Sequence, residues 1–311
     1  MDIDTLELAF DATSLAVLQI ALSVVMFGVA LDLSVDDFRR LVRDPRAPVV
    51  GLVCQFILLP ALTFPLAIAV APTPSMALGM MLVAACPGGN VSNFLTQLSG
   101  GRLTVSVGMT AVSTVAAVFT TPFNLVFWGS MHPSTAALVT DVALDPLSMF
   151  KSVALLLLVP VALGMGCAAW LPGLAAKLRG FMKAASMLFF GVVVIGAFSA
   201  NFEAFLVAVG TVFLPVLVLN ALALSLGYGA SWAAGLSEPE RRAVCFEVGI
   251  QNTGLGLVLV FSFFDGLGGM AVVAAWWGIW HLISGFTLAG WWIWRDGQGS
   301  GLRPTPSIPS E

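Results

Sequence analysis

The sequence predicts an all-α membrane protein of about nine transmembrane helices, and three observations lead there. The 311 residues are 59% hydrophobic and 10% charged, where soluble domains run at about 45–50% and about 25%. Such a chain has too little polar surface to cover a water-facing globule. Apolar stretches of about 20 residues, the length that crosses a bilayer, recur throughout. Basic residues gather on alternate connections between those stretches.

Nine stretches qualify: 13–33, 47–71, 75–99, 103–129, 147–170, 184–200, 204–230, 238–264 and 269–294. With nine crossings, Arg39, Arg40, Arg43, Arg46, Arg102, Lys177, Arg179, Lys183, Arg241, Arg242, Arg295 and Arg303 share one side, leaving Lys151 on the other. Positive residues favour the cytoplasm. The expected topology is therefore a periplasmic N-terminus, a cytoplasmic C-terminus and a multi-pass protein of the bacterial inner membrane. The acidic start (Asp2, Asp4, Glu7, Asp11) suits an outside position and lacks the basic region of a cleaved signal peptide.

Short loops leave no room for a soluble domain, so residues 1–295 read as one transmembrane unit in contact with the lipid bilayer. A short amphipathic piece, Ser34–Leu41, is expected at the cytoplasmic surface. The segment 130–146 reads as an ordinary connection. From Asp296 to Glu311 the tail is rich in Gly, Pro and Ser and is expected to be disordered. Cys54, Cys86, Cys167 and Cys245 lie in apolar spans and match no CxxC spacing. Neither His132 nor His281 stands beside an HExxH or GxSxG motif, so no enzyme is expected. No nucleic-acid partner is expected either, and the chain reads as a monomer.

Two of the nine spans are interrupted. They stand five places apart in span order, an odd number, so similar halves (about 13–129 and 147–294) would be inverted in the membrane. Paired broken helices in corresponding halves point to a transporter's binding site. The first break reads Cys86-Pro87-Gly88-Gly89-Asn90-Val91-Ser92-Asn93. Proline ends the helical bonding and the glycines permit an unwound backbone. A packed proline kink would explain Pro87, but not the three polar side chains that follow. The second break reads Glu247-Val248-Gly249-Ile250-Gln251-Asn252-Thr253-Gly254, after a helix start with a capping box, Ser237 to Glu240.

Glu247 lies about ten residues into its span, roughly 15 Å at helical rise. A carboxylate at that depth costs on the order of 2.5–3.5 kcal/mol on insertion scales, and no Lys or Arg lies within a span at similar depth. A bound cation would compensate it; a protonated structural glutamate and a proton-coupled carrier are the alternatives. Gln251 sits four residues on, and the backbone from Val248 to Ile250 can add carbonyl oxygens. Ser106 and Thr110 share a face of the helix after the first break, although such residues often bond their own helix carbonyls. Gln55 is the strongly polar group of span two, and alone would suit a helix–helix contact.

The runs ACPGGNVSN and FEVGIQNTGL, together with CQFxLLP around Gln55 and FGVALDLSVDDFRR near the start, resemble the bile-acid:sodium symporter family. The resemblance covers about residues 20–290. It implies inverted repeats whose broken helices cross near the membrane midplane, with a core domain and a panel domain, here lacking one helix of the ten-helix bacterial members. It further implies two sodium ions. The first would be held by Ser92, Asn93, Ser106, Thr110 and Glu247. The second would be held by Gln55, Glu247, Gln251 and the carbonyls of Val248 and Ile250. The implied substrate is an organic anion, bile-acid-like or a small carboxylate, beside Asn90 and Asn252 at the half-helix N-termini. His281 matches a family position near the substrate, with Leu282 next to it where relatives can carry a polar group; a packing role is its alternative. The related arsenite-exporter type, using Cys86 and Glu247, is a competing reading that the complete oxygen-donor set disfavours.

Overall fold

The computed structural model describes residues 12–34, 36, 39, 43–141, 146–182, 185 and 202–299. Among them there is helix and no strand, apart from one isolated β-bridge. Six helices are long and apolar enough to cross a membrane. They are α1 (Ala12–Ala30), α2 (Arg46–Val70), α5 (Leu103–Gly129), α7 (Leu147–Trp170), α8 (Phe202–Ala233) and α11 (Gly268–Gly299).

Each interrupted span is a pair of short helices. Span three is α3 (Pro74–Ala85) followed by α4 (Val91–Leu98). Span eight is α9 (Glu238–Gly249) followed by α10 (Thr253–Phe263). All but one residue of the expected span at 184–200, the acidic N-terminus, most of Ser34–Leu41 and the tail beyond Gly299 lie outside the described residues. Two boundaries differ from expectation. The connection 130–146 contains a helix, α6 (Pro133–Asp141), because Pro133 suits a first turn and the Thr135 hydroxyl satisfies the Gly129 carbonyl at 2.7 Å. α11 also runs past the expected end at 295, carrying Asp296 on its last turns.

The centre of the molecule is α3, every residue of which from Ser75 to Ala85 is buried. It packs against α2, α5 and α11, while α9 packs against α8, α2, α4 and α5. A hydrophobic helix buried all round needs apolar neighbours on every side, and these elements supply them. α1 and α7 form a pair at the edge of this group. α1 buries one stripe, Leu18, Leu22, Met26 and Ala30, at the four-residue spacing of a helix face. Gly164 of α7 lets the two backbones approach: a Cβ there would lie 2.6 Å from both the Ala30 Cβ and the Phe27 carbonyl oxygen. Large apolar side chains such as Phe119, Phe123, Ile57, Leu155 and Leu163 point outward, as lipid-facing residues do.

π-helical turns at Cys54–Leu58 in α2 and Ala154–Leu158 in α7 each precede a proline, Pro60 and Pro160. Proline gives no amide to the carbonyl four residues earlier. For Pro60 that carbonyl is Phe56's, and the Asn124 side-chain amide donates to it at 3.1 Å. Asn124 is itself held by the Thr120 carbonyl and the Trp128 indole. Asn124→Ala is expected to destabilise the protein by about 1–3 kcal/mol, the cost of an unsatisfied buried acceptor. Thermal melting in detergent checks this, and an unchanged midpoint would count against it.

Candidate functional site

Both breaks lie at the same place in space. α3 ends at Ala85 with Cys86 extended, and α9 ends at Gly249 with Ile250 extended. The two unwound strands pair antiparallel through Gly88 and Gln251. The Gly89 amide donates to the Ile250 carbonyl at 2.6 Å, and the Asn252 amide to the Pro87 carbonyl at 2.9 Å. Glycine is required here by space: a Cβ on Gly88 would lie 2.5 Å from Glu247 Oε2, and one on Gly89 2.9 Å from the Gln251 carbonyl oxygen.

Side chains from neighbouring helices complete the backbone bonding. Gln55 Nε2 donates to the Cys86 carbonyl at 2.8 Å, and Thr121 Oγ1 to the Ala85 carbonyl at 2.7 Å. At the other break Asn220 Nδ2 donates to the Gly249 carbonyl at 2.9 Å, and Gln251 Nε2 to the Val248 carbonyl at 2.7 Å. Asn220 is oriented in turn by the Ser284 hydroxyl, 2.5 Å from its Oδ1. In an apolar interior each unpaired group would cost several kcal/mol.

Glu247 is 1% exposed. Its Oε1 accepts hydrogen bonds from the hydroxyls of Ser92, Ser106 (2.7 Å) and Thr110 (2.8 Å), which come from α4 and α5. Asn93 Oδ1 accepts from the same Ser106 and Thr110 hydroxyls at 2.8 and 3.3 Å. The Thr110 hydroxyl also faces the Ser106 carbonyl at 3.1 Å; each hydroxyl has one proton, so six oxygen–oxygen pairings share three protons. The cluster is rich in acceptors and poor in positive charge, and none of the salt bridges among the described residues includes Glu247.

A second group of oxygens lies beside the first. Gln55 Nε2 donates to Gln251 Oε1 at 2.7 Å, and both side chains are 1% exposed. Gln55 Oε1 and Glu247 Oε2 are buried with no hydrogen-bond partner among the described residues. The Val248 and Ile250 carbonyls each take one hydrogen bond within the crossing, and a carbonyl oxygen has a second lone pair. Hydroxyl, amide, carbonyl and carboxylate oxygens form the donor set of a hard cation. Among the described residues no group of three or more His, Cys, Asp or Glu could hold a metal ion.

The residues expected near an anion are less unified. Asn90 precedes α4, is partly exposed and makes no side-chain cap. Asn252 caps α10, its Oδ1 accepting from the Leu255 amide at 3.1 Å, while its Nδ2 lies 3.9 Å from Met26 Sδ on α1. His281 is 4% exposed and packs edge-on against Trp277 at 6.4 Å between ring centres. No hydrogen bond joins its ring to Asn90 or Asn252 among the described residues, and its Nδ1 has no partner. Cys86 joins the crossing through its carbonyl. Sequence reasoning passed over Thr121, Asn124, Asn220 and Ser284. The available signal was a polar residue within an apolar span at the depth of a break.

The model of the sodium bile acid symporter family matches residues 19–208. An uncharacterised sodium-dependent transporter of Bacillus subtilis (strain 168) is 31% identical over 273 residues, 88% of this chain and 82% of that protein. The chain belongs to the sodium bile acid symporter family. Its members matched here are transporters and not enzymes. A probable chloroplastic sodium/metabolite cotransporter of Oryza sativa subsp. japonica is 31% identical over 277 residues, 89% of this chain and 65% of the plant protein. The ileal sodium/bile acid cotransporter of Homo sapiens is 30% identical over 250 residues, 78% of this chain and 68% of the human one.

Gly89→Ala tests the close pairing of the breaks in this member of the symporter family. The obstructing atom is backbone, so no side chain can swing aside. A loss of about 1–3 kcal/mol, the usual cost of overpacking, is expected as a lower melting temperature, and a wild-type melting curve would refute the tight approach.

Proposed function

We propose that the protein is a secondary active symporter that couples inward movement of two sodium ions to import of an organic anion. One observation carries this reading: a buried carboxylate with no basic partner, set at the meeting of two helix breaks among oxygens that outnumber the available protons. The first ion is assigned to Ser92, Asn93, Ser106, Thr110 and Glu247 Oε1. The second is assigned to Gln55 Oε1, Glu247 Oε2, Gln251 and the carbonyls of Val248 and Ile250. One carboxylate thus serves both ions through different oxygens, which ties their binding together. The sodium-dependent and sodium-coupled descriptions of the relatives support the choice of cation.

Cation binding would turn the three hydroxyl protons away from Glu247 and fix α4, α5 and α9 in one arrangement. That arrangement sets the N-termini of α4 and α10, with Asn90 and Asn252, toward an anionic group; the positive end of the helix dipole favours negative charge there. The same reading takes the chain as nine crossings in inverted repeats, with its C-terminus in the cytoplasm and α1 and α7 belonging to a panel that moves against the core. His281 borders the core, and its packing against Trp277 supports a structural role more than direct contact.

The test is uptake of bile acids, pantoate-like acids and 2-oxo acids by cells or proteoliposomes, with sodium replaced by choline at fixed pH. Uptake of at least one class should require sodium and be lost in Glu247→Ala and Gln251→Ala. Ser106→Ala should lower apparent sodium affinity about 10–100-fold, the equivalent of one charge-assisted contact of about 1.5–3 kcal/mol. Equal uptake in sodium-free buffer, driven instead by a pH gradient, would replace sodium coupling with proton coupling. Arsenite resistance that depends on Cys86 would favour the exporter reading.

A further inference from the structure

A buried arginine outside the oxygen cluster joins the helices that carry it. Arg242, 4% exposed, lies on α9 five residues before Glu247. Its Nε donates to Glu238 Oε1 at 3.2 Å, and its two terminal nitrogens grip both oxygens of Asp296 at 2.7 and 3.0 Å. One of those nitrogens also donates to the carbonyl of Ser99. The guanidinium carbon stands 5.2 Å from the centre of the Trp292 ring. Ser99 closes α4, and Trp292 and Asp296 belong to α11. One side chain therefore binds the C-terminal end of α4, the first turns of α9 and the last turns of α11.

A second set of bonds repeats the connection between α4 and α9. After α4 the chain turns at Gly100, with φ +71, and the Gly101 amide donates back to the Thr96 carbonyl at 2.7 Å. The Arg102 amide then donates to the Pro239 carbonyl at 2.8 Å, and its side chain to Glu240 at 2.6 Å. α4 has eight residues, too few to hold itself as an isolated helix. Ser92 and Asn93 sit at its opposite end, about 10 Å from Ser99 at helical rise, and Glu247 is about 7.5 Å along α9 from Arg242. Two short rods are thus fastened at one end and bring their oxygens together at the other.

We propose that Arg242 is a positioning residue for the cation site, stapling α4, α9 and α11 so that Ser92 and Asn93 stay in register with Glu247. This rests on the cation reading of Glu247 given above. An ion pair whose aspartate is half exposed contributes little net stability on its own, whereas residues that hold a metal's ligands typically alter its affinity by about 10–100-fold. The arginine thus acts on affinity more than on folding.

The experiment measures sodium binding to the purified full-length chain by the rise in melting temperature on titrating sodium chloride, with choline chloride holding ionic strength constant. Arg242→Gln should raise the sodium half-saturation concentration at least about tenfold, with Ser92, Asn93 and Glu247 untouched. A melting temperature lowered in choline with the half-saturation unchanged would overturn the proposal and leave Arg242 as general support. If Arg242→Gln gives no folded protein, Arg242→Lys decides by the same criterion, because an ammonium keeps the charge beside Asp296 but cannot span Ser99, Glu238 and Asp296 at once. Absence of any sodium response in the wild-type chain would instead remove the cation reading, and the staple's role with it.

Discussion

A helix interrupted inside an apolar interior must find partners for its backbone groups, and this structure meets that constraint by breaking two helices at one point. Gly89 bonds to Ile250 and Asn252 to Pro87, so each break supplies what the other lacks. The carbonyls that remain are taken by Gln55, Thr121 and Asn220 from three surrounding helices. The site is consequently over-determined. Moving one break requires undoing bonds at the other, and the crossing behaves as one unit with the helices that cap it.

That bonding explains why Glu247 can stay without a basic partner. A lysine or arginine beside it would neutralise the charge permanently and leave a closed ion pair. Hydroxyls stabilise the carboxylate by donating protons, yet each can rotate and present a lone pair. Three such hydroxyls meet on Oε1, which is the arrangement that the cation reading proposed above relies on. Gly88 leaves Oε2 open on the other side, since a side chain there would collide with it. The two oxygens of one carboxylate therefore face different surroundings.

The two breaks and the burial of Glu247 were legible in the sequence, and so was the polar character of Ser92, Asn93 and Gln251; that Ser106, Thr110 and Gln55 gather at the same point was implied only by the family resemblance. Each is a polar or helix-breaking residue where an apolar span should continue, and hydrocarbon makes such residues conspicuous. Asn220 and Thr121 were not, because their role is to satisfy particular carbonyls on other helices, and helix rotation decides which. Asn252 was rightly placed at a helix start, but its side-chain oxygen is consumed as that helix's cap, which sequence could not separate from binding. His281 shows the same limit, for its chemistry is plain in one dimension and its surroundings are not. Arg242 reads as one of many cytoplasmic basic residues until Ser99 and Asp296 are brought to it.

The contrast between strong and weak contacts also locates where the molecule can change shape. Within the crossing, charged, amide and backbone bonds connect α2, α4, α5, α8 and α9. Between α1 and α10 the polar contacts are Gln19 to Ser262 at 3.4 Å and the Asn252 amide to the Met26 thioether at 3.9 Å. A thioether is a weak acceptor, so the Asn252 amide is only weakly held by Met26. Apolar packing along Leu18, Leu22 and Ala30 is non-directional and tolerates sliding better than a hydrogen-bonded crossing does. The polar contacts of α1 with α10 are thus weaker than those that join the crossing, and one of them falls on the asparagine at the start of α10.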